Sequence, residues 1–217
     1  MKLSSILLSV STLLFSSACG ASWSHRAVQG SGIRTEESRE VGDFHSVSLR
    51  TSGEVLVEVG PQPSISIITD DNLLPLISTQ VSSGELTIES ENVRTKQEPR
   101  FHITTPRLDA FGISGSARVR IRGINEKKFE ARISGSGDTE IDGTVEQLGV
   151  SISGSGELDL RRLEATQADV RISGSARVRL NVTQTLNYQI SGSGNIRYSG
   201  DARATGSVSG TGSIAQD

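Results

Sequence analysis

Apolar and polar residues alternate in short runs through the C-terminal half of the chain. Val119 and Ile121, for example, are flanked on both sides by arginines. The same alternation recurs at Thr139 and Ile141, Leu158 and Leu160, Val178 and Leu180, and Ile196 and Tyr198. A period of two residues is typical of β-strands that bury one face. The pattern therefore predicts an all-β protein built from short strands.

A short motif recurs at a nearly constant spacing between these runs. Six times an Ile or Val is followed by Ser and Gly, and the copies start 18 to 20 residues apart. The Ser and Gly pairs are Ser114 and Gly115, Ser134 and Gly135, Ser153 and Gly154, Ser173 and Gly174, Ser191 and Gly192, and Ser209 and Gly210. Gly tolerates positive φ and close backbone approach. We therefore expect these residues to form a structural corner that is repeated along the molecule.

Self-similarity at this period is typical of a solenoid, in which each repeat buries its apolar face against its neighbours. A turn of this length is too short for a strand-helix-strand crossover. We therefore predict a parallel β-helix with coils of about 18–20 residues, with Ile and Val stacked inside. The composition agrees, because a hydrophobic content of 34% with 4% aromatics suits a narrow tube better than a wide core.

The first half of the chain carries a less regular version of the repeat. Thr51-Ser52-Gly53 is followed by Val57 and Val59 at the offsets seen in the regular copies. We interpret residues 42–110 as divergent N-terminal coils and residues 111–217 as the regular repeat region. Residues 19–41 are rich in Ser, Gly and charge, which is typical of a flexible tether.

The first 18 residues have the order of a secretory signal peptide. Lys2 precedes an apolar run from Ile6 to Phe15, which is followed by Ser16, Ser17 and Ala18. A charged start, an apolar centre and a small-residue cleavage site define such signals. The run is too short to span a membrane as a helix. We therefore expect the chain to be exported to the cell envelope.

The chain contains a single cysteine, Cys19, directly after the small residues. This is the position at which a bacterial lipoprotein signal places its lipidated Cys. Ser16 departs from that signal, which has an aliphatic residue three positions before the Cys, so ordinary cleavage after Ala18 is the alternative. A single exported Cys cannot form an internal disulfide, which favours the lipid anchor. Gly20 is similar to the signals of outer-membrane lipoproteins, and exposure on the periplasmic or the outer side stays open.

From about Val41 onward the chain resembles the putative auto-transporter adhesin head, or head GIN domain, family of bacterial envelopes. The resemblance rests on the Ile-Ser-Gly-Ser-Gly-acid copies at residues 133–138 and 152–157, the opening segment Val41 to Val47, and the ending around Tyr198 and Val208. It implies a right-handed β-helix on a secreted or lipid-anchored protein. It brings no catalytic residues to this chain.

Outward positions of neighbouring repeats carry opposite charges. Arginines at 118, 120 and 122 are equivalent to acids one repeat later, and we expect these side chains to pair across strands. Two acids from each of two adjacent repeats, Asp138, Glu140, Glu157 and Asp159, are weak candidates for a cation site. We interpret them as a solvated acidic patch, and predict no metal and no cofactor. A net charge of −3 argues against a nucleic-acid partner.

The sequence contains few residue patterns that are typical of a catalytic site. The three histidines, His25, His45 and His102, lie outside the regular repeats, so the motif serines have no neighbouring base in sequence. We therefore expect a non-catalytic binding or scaffold module that is held at the membrane by its N-terminal lipid. Its partner is an envelope polysaccharide or another protein, and self-association through the C-terminal edge is a further possibility. The alternative is a small carbohydrate-active β-helix protein.

Overall fold

The computed structural model describes residues 27–90 and 93–217, and the described chain is almost entirely β-structure. Within these residues one 3-10 helix, Asp71–Leu76, interrupts the strands. The strands are β1 (Val28–Gln29), β2 (Arg34–Arg39), β3 (Ser46–Arg50), β4 (Gly53–Val59), β5 (Ser64–Asp70), β6 (Ile77–Ser82), β7 (Glu85–Ser90), β8 (Val93–Arg94), β9 (Arg100–Thr105), β10 (Ala110–Ile113), β11 (Ala117–Gly174), β12 (Arg177–Gly192), β13 (Asn195–Ser199), β14 (Arg203–Gly210) and β15 (Ser213–Gln216). The predicted all-β class is therefore confirmed.

Thirteen of these strands form one curled, half-barrel sheet of mixed direction. Its main path runs β2-β5-β9-β4-β11-β10-β3-β7-β6, and β12 to β15 continue it from β11. β1 and β8 form a separate two-stranded parallel sheet. Most pairings of the large sheet are parallel, but β2 with β5, β5 with β9, and β6 with β7 are antiparallel.

The predicted right-handed parallel β-helix with coils of about 18–20 residues is therefore wrong as a fold class. One cause is visible at the turn between β6 and β7. Ser83 and Gly84 both have positive φ, 52° and 77°, and two consecutive positive φ values are typical of the tight hairpin turn that joins antiparallel strands. This Ser-Gly pair resembles a corner of the repeat in sequence, but it forms a hairpin turn.

Residues that are one repeat apart in sequence are paired with each other in neighbouring parallel strands. Ile113 pairs with Ile133, and Ile172 pairs with Ile190. All four side chains are buried, with exposed fractions of 1–4%. The equivalent apolar positions therefore lie side by side across the sheet and form its core face.

One continuous hydrophobic cluster runs from Phe44 to Ala202. It crosses the predicted boundary between residues 110 and 111, because β3 pairs with β10 and β4 pairs with β11. Residues 34–39, which the sequence placed in the tether, form β2 and pair with β5. This part of the predicted tether belongs to the sheet, whereas the predicted signal peptide and Cys19 lie outside the described residues.

The repeated glycines lie one above another at a corner of the sheet. A Cβ atom built on Gly174 would approach the carbonyl oxygen of Gly154 to 2.4 Å, and one on Gly192 would approach that of Gly174 to 2.6 Å. Gly174 also has a φ of +139°, which side chains other than Gly rarely adopt. The corner therefore needs Gly both for its backbone conformation and for the close approach of neighbouring strands.

Candidate functional site

A long groove crosses the outward face of the sheet, and we call it the serine groove. It has a volume of about 970 Å³. Eight serines line it, Ser46, Ser48, Ser114, Ser134, Ser151, Ser153, Ser173 and Ser191. The other polar side chains along it are Arg50, Glu85, Arg132, Arg171 and Gln189.

Strand alternation creates this polar lining. Within each repeat the Ile of the motif points into the core, so the residues immediately before and after it point outward. Ile152, for example, is 3% exposed, whereas Ser151 and Ser153 on either side of it are exposed. The groove floor therefore presents hydroxyl groups and arginines, with the apolar side chains turned away from solvent.

The serines of the repeated Ile-Ser-Gly motif lie along this groove. Ser114, Ser134, Ser153, Ser173 and Ser191 line the groove, and Ser209 continues their column on β14, where it pairs with Ser191. A second column of hydroxyls lies beyond the glycine corner, and Ser193 and Thr211 there are hydrogen-bonded at 2.9 Å. The motif therefore supplies a repeated row of exposed hydroxyls as well as a corner.

A carboxylate holds one of the groove arginines in place. Glu130 forms an ion pair with Arg132 and another, of 2.7 Å, with Lys128 Nζ. The hydrogen bond from Lys128 lowers the pKa of Glu130 below its ordinary value, and the charge of Arg132 lowers it further, against the opposing effect of burial. Glu130 therefore stays ionised, and these three side chains together carry one positive charge.

Arg171 has a different environment. Its backbone pairs with Gln189 in the next strand, and its side chain is exposed. Among the described residues, no carboxylate lies within 4.0 Å of its guanidinium. The groove thus contains a cation that is available to a ligand.

Arg132 and Arg171 were not predicted from the sequence as binding residues. Both occupy the position just before the motif Ile, which also holds Gly112, Ser151, Gln189 and Ser207. Only two of the six copies hold Arg at this position, so the repeat gives no periodic signal for it. The charge pattern that the sequence did reveal lies on the other side of the glycine corner.

Those charges form a second surface, which we call the charged face. Glu140 lies 3.4 Å from both Arg120 and Arg162. Glu157 contacts Arg177 at 3.6 Å and also pairs with Arg179. The predicted cross-strand pairing is present here, although Arg118 pairs with Glu54 at 2.9 Å rather than with an acid of the following repeat.

The weak cation candidates lie within this network of arginines. The side chain of Arg161 donates hydrogen bonds to both carboxylate oxygens of Asp159, which lowers the pKa of that carboxyl. Burial opposes this shift, whereas a backbone hydrogen bond from Arg161 and the charges of Arg161 and Arg179 add to it. Glu140 and Glu157 also have arginine partners, and Asp138 is exposed. Within residues 27–90 and 93–217, no three His, Cys, Asp or Glu side chains converge as they would around a metal ion.

The structure places two of the histidines beside acids. His45 Nδ1 lies 3.2 Å from Asp109 Oδ2, and His102 Nε2 lies 2.8 Å from Glu58 Oε2. Neither histidine forms a hydrogen bond to a serine hydroxyl of the described chain. His25 lies outside the described residues.

The far edge of the sheet is formed by β14 and β15. β14 pairs with β12, and β15 pairs with β13, each along one side only. Val208 on β14 is 40% exposed. Self-association through this edge stays a prediction. In the part of the chain that the structure describes, no helix has the length and apolar character needed to cross a membrane.

Two solved structures have a similar fold. One is described as a putative adhesin from Bacteroides fragilis NCTC 9343, with 19% identity, a TM-score of 0.72, and coverage of 88% of this chain and 100% of that chain. Another is described as a putative lipid binding protein from Parabacteroides distasonis ATCC 8503, with 21% identity, a TM-score of 0.57 and the same coverage. At these identities the likeness concerns the fold alone.

Comparison by sequence identifies the family. No curated protein matches the chain significantly. The model of the family described as "Putative auto-transporter adhesin, head GIN domain" matches residues 43–202, which is most of the chain and includes every residue that lines the serine groove. The resemblance noted in the sequence is thereby confirmed, and the chain belongs to the putative auto-transporter adhesin, head GIN domain, family.

Proposed function

We propose that this protein is a non-catalytic binding module of the bacterial cell envelope, anchored by a lipid on Cys19, and that the serine groove is its binding surface. The observation that carries the proposal is the groove itself, an open polar surface built by the repeats that characterise the chain. Membership of an adhesin-type family supports an envelope location. The signal-like N-terminus with Cys19 supports the anchor.

Binding suits the groove better than catalysis does. A hydrolytic serine needs a base within hydrogen-bond reach, and the groove serines are accompanied by arginines, Gln189 and Glu85 instead. His45 has Asp109 beside it, yet no hydroxyl of the described residues is hydrogen-bonded to its ring. Repetition of one hydroxyl along the groove gives many equivalent contacts, which suits adhesion to an extended ligand.

Anchoring is tested with Cys19→Ser in a host that processes lipoproteins. We expect the wild-type chain to fractionate with membranes and to carry an acylated N-terminal Cys by mass spectrometry, while Cys19→Ser is released. Protease treatment of intact cells then reports whether the protein is exposed on the outer side of the cell or lies on the periplasmic side. Recovery of an unmodified wild-type chain in the soluble fraction would contradict the anchor.

Binding through the groove is tested separately by filling it. Beads that display the full chain are mixed with intact bacterial cells, and bound beads are counted. Ser153→Tyr places a ring in the groove, and we expect it to reduce binding strongly. Ser155→Tyr is the matched control, because Ser155 is exposed but lies beyond the glycine corner. Equal binding by the two variants would exclude the groove as the adhesive surface.

A further inference from the structure

We propose that the serine groove binds an extended acidic polysaccharide, with Arg132 and Arg171 holding carboxylate groups of the polymer. This inference rests on the proposed binding function and names the chemical class of the ligand. It is carried by the shape of the groove, its local charge and its lack of exposed apolar side chains.

The shape favours a polymer over a compact ligand. The lining residues extend from Glu85 on β7 through β3, β10 and β11 to Gln189 on β12. With neighbouring strands about 4.8 Å apart, this path crosses roughly 30 Å of sheet. Such a groove accommodates several sugar residues in an extended chain that runs across the strands.

The charge of the groove differs in sign from that of the whole chain. Among the residues that line it, three are arginines, Arg50, Arg132 and Arg171, and one is an acid, Glu85. Glu130 pairs with Arg132 from beside the groove, but its charge is offset by Lys128. The chain as a whole carries a net charge of −3. A positive groove on an acidic protein attracts an anionic ligand locally and orients it on approach. This complementarity favours an acidic polymer over a neutral one.

The spacing of the arginines supports repeated carboxylates. Ser151 occupies the strand position between those of Arg132 and Arg171, so the two arginines are two strand spacings apart, about 10 Å. This distance is close to the length of two sugar residues in an extended chain. The planar guanidinium matches a carboxylate with paired hydrogen bonds, and the intervening serine hydroxyls are suited to sugar hydroxyl groups.

The same lining argues against a lipid acyl chain as the ligand. Ile113, Ile133 and Ile172 face the groove only from beneath, with exposed fractions of 2–4%, and Phe111 is 1% exposed. These buried side chains offer little surface to an alkyl chain, and no aromatic ring among the residues that line the groove is exposed for stacking on a sugar. We expect weak individual contacts that become strong on a polymer through multivalency.

Polygalacturonate is the probe, and its fully methyl-esterified form is the control because it keeps the sugar backbone and removes the charge. The full chain is purified in detergent and its binding to both polymers is measured. We expect binding to polygalacturonate that weakens as NaCl is raised, since salt screens exposed charges, and little binding to the ester. Equal binding to the ester, or no binding to polygalacturonate, would overturn the proposal.

Three variants test the residues. Arg132→Gln and Arg171→Gln are each expected to weaken binding by about ten-fold or more, in line with the loss of a charge-assisted hydrogen-bond pair. Arg203→Gln is the control, because Arg203 is exposed on β14 and lies outside the groove lining. Circular dichroism checks that every variant is folded. Wild-type affinity in Arg171→Gln and Arg132→Gln would overturn the assignment.

Two further measurements separate this inference from the proposed function. If phosphatidylglycerol vesicles bind in an arginine-dependent manner and polygalacturonate does not, the ligand class is wrong. A second outcome is that beads bind cells, Ser153→Tyr abolishes that binding, and the chain does not bind polygalacturonate. The polysaccharide inference then fails, but the groove remains the binding surface. If the wild-type chain binds neither cells nor polygalacturonate, the proposed binding function itself is wrong.

Discussion

Two buried threonines differ in whether their hydroxyl groups are hydrogen-bonded. Thr139 occupies the position held by Val119 and Leu158 in neighbouring repeats. It is 2% exposed, and within the described part of the chain its Oγ1 has no hydrogen-bond partner. Thr105 is also buried, but its hydroxyl donates to the carbonyl oxygen of Phe44 at 2.6 Å. The two threonines therefore contribute to stability with opposite signs.

We expect Thr139→Val to stabilise the protein by about 1 kcal/mol, because a buried hydroxyl without a partner carries a desolvation cost that a methyl group does not. For a chain of this size the thermal midpoint would rise by about 2–4 °C. Thr105→Val is the control and should destabilise by a similar amount, since the Phe44 carbonyl loses its donor. A lower midpoint for Thr139→Val would mean that its hydroxyl has a partner in solution.

Glu130 gives the protein a predictable response to acid. Its pKa in the folded state is lowered, chiefly by the hydrogen bond from Lys128. The stabilisation is therefore complete above the pKa that Glu has in the unfolded chain, about 4.3, and is lost as the pH falls through the lower, folded-state pKa.

The Glu130→Gln variant should be less stable than wild type at pH 7 by about 0.2–1 kcal/mol, the usual range for a solvent-accessible pair. At pH values below the folded-state pKa the difference should disappear. Urea denaturation at a series of pH values measures it. A difference that stays constant across the series would show that the charge of Glu130 makes no contribution.

At the scale of elements, the sequence predicted which segments are strands better than it predicted how they pair. The period-two pattern and the Ile-Ser-Gly repeat located the core positions from Ile113 onward, and these lie in register across parallel strands. The antiparallel pairing of β6 with β7 was missed, because Ser83-Gly84 has the same letters as a repeat corner but the backbone of a hairpin turn. The backbone conformation of the pair and the direction of the flanking strands distinguish the hairpin turn from the repeat corner.

The candidate site was predictable only in part, for a related reason. Outward positions are free to vary without harming the core, so Arg132 and Arg171 carry no periodic signal. Their proximity depends on the register of the strands, which places residues from separate repeats side by side. The serines were found because the same positions adjoin a corner that the backbone restricts to Gly.

The glycine corner itself gives a prediction for β11. In Gly174→Ala the new Cβ would lie 2.4 Å from the oxygen of Gly154 at a φ of +139°, so the strands must separate or the turn must change. We expect a loss of about 1–3 kcal/mol. Gly112→Ala is the matched control, because its Cβ would be 3.9 Å from the nearest atom, and it should be neutral or slightly stabilising. Chemical denaturation of both variants tests this, and equal stability would mean that the corner tolerates a side chain.

At the scale of the whole molecule, the sheet joins the irregular first half and the regular second half into one body. Val47 pairs with Phe111, and Val55 pairs with Val119. The hydrophobic cluster is continuous across these pairings. A defect in the first half should therefore weaken the second half, even though the sequence suggested a boundary between residues 110 and 111.

Ile67→Ala tests this coupling. Ile67 lies on β5 with no exposed surface, and its truncation should cost about 2–5 kcal/mol. Both tyrosines of the chain, Tyr188 and Tyr198, lie in the second half, so their near-ultraviolet circular dichroism reports on that half. We expect the tyrosine signal and the far-ultraviolet signal to shift together to a lower midpoint, while Ile33→Ala, at a side chain that is 64% exposed, leaves both unchanged. If the tyrosine signal kept its wild-type midpoint while part of the far-ultraviolet signal was lost at a lower temperature, the two halves would unfold independently. Because the groove lining includes residues of both halves, the groove would then be lost before the second half unfolds.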